Sequence, residues 1–145
     1  MNAWQDYRWN DWVPLSRLND VKCDLLGRGV YAIGAERHDG MPVPIQRVYG
    51  CDTEGVLLIG QGSLSHQIRA LFHSVDDECD SQAYFATKLF ANTCLSRIFD
   101  PQFLRMRWCE AEDSRSVGSK ILDSYLREFG ELPPGNSQSF TSNFS

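Results

Sequence analysis

Arg69 and His73 stand four residues apart in a stretch with helical periodicity, which places a guanidinium and an imidazole on one face, one turn apart. By residue type alone, each is also an ordinary solvated helix residue. Tyr31 lies in an apolar run, Gly29 to Gly34, where a phenol is by default a core or interface aromatic. Phe103 to Cys109 alternates, with Phe103, Arg105 and Arg107 set against Leu104, Met106 and Trp108. That pattern predicts an edge-type strand with one charged face. Arg105 and Arg107 would there either solubilise the surface or meet a phosphate. Trp4, Trp9 and Trp12 crowd a polar N-terminal segment. Such aromatics cap a core or stack on bases, and packing against a sheet is the expected outcome. His38 and His66 carry no motif. The five cysteines, Cys23, Cys51, Cys79, Cys94 and Cys109, contain no C-x-x-C pair, so a zinc site is not expected.

The elements that must position these groups follow from periodicity. In the Gly29 to Gly34 strand, Val30 and Ala32 face one side, and Tyr31 and Ile33 the other. Asp39-Gly40 marks a turn, and Val43 to Tyr49 reads as a second strand blunted by Pro42 and Pro44. After a turn at Glu54-Gly55, Val56 to Ile59 reads as a short buried strand, released by Gly60 and Gly62. Ser63 suits an N-cap for a helix over Leu64 to Phe72. A second helix is predicted over Gln82 to Ile98, closed by Asp100-Pro101. Ser114 or Ser116 opens a last helix to about Phe129, with Ile121, Leu122, Tyr125, Leu126 and Phe129 as its apolar face and Gly130 as its C-terminal stop.

Gly29-Val30-Tyr31, then Leu58-Ile59-Gly60, then Arg69, and finally the strap Phe129 to Asn136, make up a series whose order and spacing resemble the GIY-YIG nuclease family. The likeness runs from about Gly29 to Asn136, and the strap is similar to the ending of a bacterial branch. It implies an α/β fold, a small antiparallel or mixed sheet flanked by helices in a single domain. It also implies a divalent-metal-dependent endonuclease acting on the phosphodiesters of DNA. Tyr31 would help deprotonate the attacking water, Arg69 would hold the scissile phosphate, and His73 would donate a hydrogen bond or carry a proton. Mg²⁺ or Mn²⁺ would be the cofactor. Two positions depart from the pattern. The second-motif Tyr is Leu58. Setting Ile121-Leu122 and Tyr125 on the family's apolar pair and aromatic puts Gly118 where the metal-binding Glu belongs, so no metal ligand is assigned. Asp123, about 140° further round the helix, and Glu112 and Asp113 before it are the carboxylates nearest that position in sequence. The alternative function is therefore an inactive module of the same fold that binds nucleic acid or protein.

Bulk properties set the frame. A chain of 145 residues buries one proper core, and 42% hydrophobic with 23% charged residues is ordinary globular composition. The expected organisation is an aromatic-rich extension over 1–28, the domain over 29–136 and a polar tail over 137–145. The net charge of −5 argues against strong non-specific DNA binding, although Lys88, Arg97, Arg105 and Arg107 leave a local basic segment. No apolar run approaches the roughly 20 residues of a membrane span. Met1 to Trp12 lacks the basic-then-apolar order of a secretory leader, and the scattered cysteines read as reduced thiols, so a cytoplasmic location is expected. Nucleic acid is the expected partner, and a protein partner or homodimer the alternative.

Overall fold

A computed structural model describes residues 7–21, 26–37, 39–75 and 103–136. The helix expected over Gln82 to Ile98 lies outside the described residues, as do His38, Trp4 and the 137–145 tail. The described chain is a single-domain mixed α/β fold. It runs β1 (Val13–Pro14), a 3-10 helix (Leu15–Asp20), β2 (Arg28–Ala35), β3 (Ile45–Gln46), β4 (Cys51–Asp52), β5 (Val56–Ser63), α1 (Leu64–Val75), β6 (Leu104–Glu110) and α2 (Ser114–Phe129). The main sheet is antiparallel in the order β1-β6-β2-β5, and β3 and β4 form a separate hairpin.

The alternation expected for β2 divides two cores. Tyr31, Ile33 and Ala35 face Leu18, Leu64, Ile68, Met106 and Trp108, while Val30 and Ala32 face Ile121, Leu122, Tyr125 and Phe129. The 3-10 helix and α1 thus cover one face of the sheet and α2 the other. Only Arg28 of β2 is exposed, which is why the strand reads as a continuous apolar run. Between Ile33 and Gly34 the register slips, with Ile33 opposite Leu58 and Gly34 opposite Val56. The extra residue is Leu57, so Leu57 and Leu58 both join the α1-side core.

α2 matches its sequence signals. Asp113 caps it by accepting from the Ser116 amide, and Gly130 ends it in the left-handed region with φ 78°. Leu126 departs from expectation: it is exposed rather than part of the buried stripe. Three strand expectations also change. Val43 to Tyr49 is not one strand, because only Ile45–Gln46 pairs and the chain turns where the Arg47 amide bonds the Gly50 carbonyl. Gly60 and Gly62 do not release the backbone, since β5 continues through both to Ser63. β6 is not an edge strand, because β2 flanks it on one side and β1 on the other.

Candidate functional site

The expected site begins with Tyr31, which pairs with Gly60 on β5 and Trp108 on β6. Its ring lies directly over Gly60, where an added Cβ would come within 2.2 Å of the ring carbon Cζ. Glycine is therefore required for the aromatic to lie flat on the sheet. The phenol is 3% exposed, and its hydroxyl donates to Gln67 Oε1 at 3.3 Å. Burial pushes its pKa far above the ordinary 10.0. The group is a neutral, sealed phenol at any physiological pH.

Arg69 is exposed on α1, two residues beyond Gln67. Two residues on a helix are about 200° of rotation, so Arg69 leaves α1 on the flank opposite the one that holds the Tyr31 hydroxyl. His73 follows one turn later on the same helix. The Tyr31 hydroxyl is held by Gln67, and helix geometry sets the exposed Arg69 on a different flank of α1 from that contact.

Gly118 belongs to the buried stripe of α2, with Ser114, Ile121, Leu122, Tyr125 and Phe129. That stripe packs on Val30, Ala32, Val56 and Ile59, the sheet face opposite Tyr31. The replacement carboxylates do not reach the phenol either. Asp123 is exposed and pairs with Arg127 at 3.0 Å, Asp113 is spent as the helix cap, and Glu112 is exposed. Among the described residues, no group of three or more His, Cys, Asp or Glu is arranged to hold a metal ion. Among the described residues, the groups shown against Tyr31 are Gln67, Gly60 and apolar side chains, a set that does not fit a divalent cation.

Arg105 and Arg107 are not a solvated charged face. They are 7% and 9% exposed. They point to the α2 side of β6, opposite Gly34 and Ala32 of β2, which are too small to cover them. Cover comes from the N-terminus: Trp12 lies 4.4 Å from the Arg105 guanidinium, and Trp9 and Trp12 lie 4.8 and 4.7 Å from that of Arg107. Arg107 also pairs with Glu54 at 2.8 Å. Burial lowers the pKa of both guanidinium groups, opposed chiefly by Glu36 and Glu54 at Arg105 and by Glu54 at Arg107. Trp9 and Trp12 thus pack on the sheet as expected, but against its arginines.

Sequence reasoning missed three organising side chains. Asp52, 1% exposed, accepts from the amides of Glu54, Gly55 and Val56 and from the Tyr125 hydroxyl at 2.7 Å. An Asp three residues before Gly55 is the visible signal of such a turn. Asn136 accepts from the Ile59 amide and donates to the Ile59 carbonyl, both at 3.0 Å, so its amide behaves as one residue of a further strand along β5. Gln67, which holds the Tyr31 hydroxyl, carried no signal. No family model, no curated protein and no solved structure matches the chain.

Proposed function

We propose that this chain is a GIY-YIG-like domain that keeps the fold and lacks the hydrolytic centre, and that it binds nucleic acid without cutting it. The reading of fold kinship rests on the order of Gly29-Val30-Tyr31, Leu58-Ile59-Gly60, Arg69 and the strap ending in Asn136 along an antiparallel sheet. The observation that carries the loss of hydrolysis is Tyr31. A phenol sealed in the core and held neutral by burial takes no proton from water. Gly118, buried against the other face, brings no carboxylate to it.

Nucleic acid as ligand follows from the family likeness and from the arginines this chain retains. On the outside of the domain, Arg69 and His66 are exposed on α1, whose first turn holds no acidic residue. His73 extends the same helix. The test is incubation with supercoiled plasmid and with labelled duplex and single-stranded oligonucleotides in Mg²⁺ or Mn²⁺. The expected outcome is retarded migration with the strands intact. Metal-dependent cleavage that vanishes in both Tyr31→Phe and Arg69→Ala would refute the reading.

A further inference from the structure

We propose that the N-terminal segment Tyr7 to Pro14 is an intramolecular stand-in for single-stranded nucleic acid, and that its release uncovers a base-stacking site on Arg105 and Arg107. The proposal rests on the nucleic-acid reading above and names its surface and strand type. Two arginines at alternate positions of β6 project over a floor of Gly34 and Ala32. That floor is shallow enough for a flat ring: a Cβ at Gly34 would come within 3.3 Å of the Trp12 indole. In the closed state Trp9 and Trp12 provide the rings. Nucleobases stack on guanidinium planes in the same way, without regard to sequence.

Charge points in the same direction. Glu54 pairs with Arg107, and the Nε atoms of Arg105 and Arg107 are buried without a hydrogen bond among the described residues. Buried guanidinium groups are stable only when paired or hydrogen-bonded. A phosphate backbone offers acceptors and negative charge that an indole lacks. The cover is also a short one, its backbone joined to the sheet at β6. Asn10 holds it by donating its backbone N–H to the Trp108 carbonyl and accepting from the Trp108 N–H at its side-chain Oδ1, and β1 adds the pairs of Val13 and Pro14. Short, edge-bound segments of this kind open at a lower free energy than the core.

The test uses fluorescence anisotropy with a labelled twelve-residue oligo-dT at low salt. The expected result is weak binding by the wild type and at least tenfold tighter binding by the Trp9→Ala/Trp12→Ala variant. Adding Arg105→Gln to that variant should return binding to the wild-type level. An unchanged affinity in a folded double variant, or a gain that survives Arg105→Gln, would overturn the proposal. If the double variant does not fold, hydrogen exchange on the wild type decides. Saturating oligo-dT should speed exchange over residues 7–14 and slow it over 104–110, and no change in either segment overturns the proposal. Binding of duplex alone would end the inference about the N-terminal segment and leave the non-hydrolytic module standing. Absence of any nucleic-acid binding would end both, and cleavage would end only the non-hydrolytic reading.

Discussion

Sealing Tyr31 has a thermodynamic signature that separates a buried core phenol from a catalytic one. Its folded pKa lies well above the ordinary 10.0, so above that pH the unfolded chain releases a proton that the folded chain keeps. Stability from this group is complete below pH 10 and falls as pH rises beyond it. Each such phenol costs about 1.4 kcal/mol per pH unit once the unfolded form ionises. Tyr125 behaves alike, pushed up by burial and then by the Asp52 carboxylate it bonds. Together they remove roughly 3 kcal/mol between pH 9 and pH 11, a large part of the roughly 5–15 kcal/mol of a typical domain. The assay is urea unfolding of wild type and Tyr31→Phe at pH 8 and pH 11. At pH 8 the variant should lose only the long hydrogen bond to Gln67, on the order of 1 kcal/mol. At pH 11 the deficit should vanish or reverse, because the variant lacks one of the two alkaline penalties. An equal pH dependence in both proteins would mean that Tyr31 ionises in the folded state. The phenol would then be open to solvent, and its catalytic role would be restored.

Gly60→Ala forces a methyl into the Tyr31 ring and is expected to destabilise by about 3 kcal/mol or more; the same change in a Tyr31→Ala background should cost far less, and a double-mutant cycle by chemical denaturation measures the difference. Asn136→Ala leaves the buried Ile59 amide and carbonyl without their side-chain partner, an expected loss of about 2–4 kcal/mol in urea unfolding. Gly118→Glu buries a carboxylate in the α2 stripe, so the melting temperature should fall, with no Mg²⁺-dependent recovery in calorimetry.

Much of this architecture was legible locally. The alternation of Val30 and Ala32 against Tyr31 and Ile33, the start of α2 near Ser114 and its end at Gly130 are each decided by residues a few positions apart. Period and capping chemistry act at that range, so the sequence alone determines them. The long β5 was missed because two glycines signal a break when read locally. Across the sheet, Gly60 is instead the space that Tyr31 fills. Arg105 and Arg107 looked like a wet edge because nothing near them in sequence could cover charge. Only the tertiary structure brings Trp9 and Trp12 nearly a hundred positions along the chain to do so. The candidate site depended on the same kind of fact. Tyr31, Arg69 and Gly118 stand in the order that the resemblance implies for a catalytic series, yet a one-residue step along a strand or two along a helix reverses the direction of a side chain. Which face each would meet was set by the packing of α1 and α2 on opposite sides of the sheet, and that packing sealed the phenol in the core.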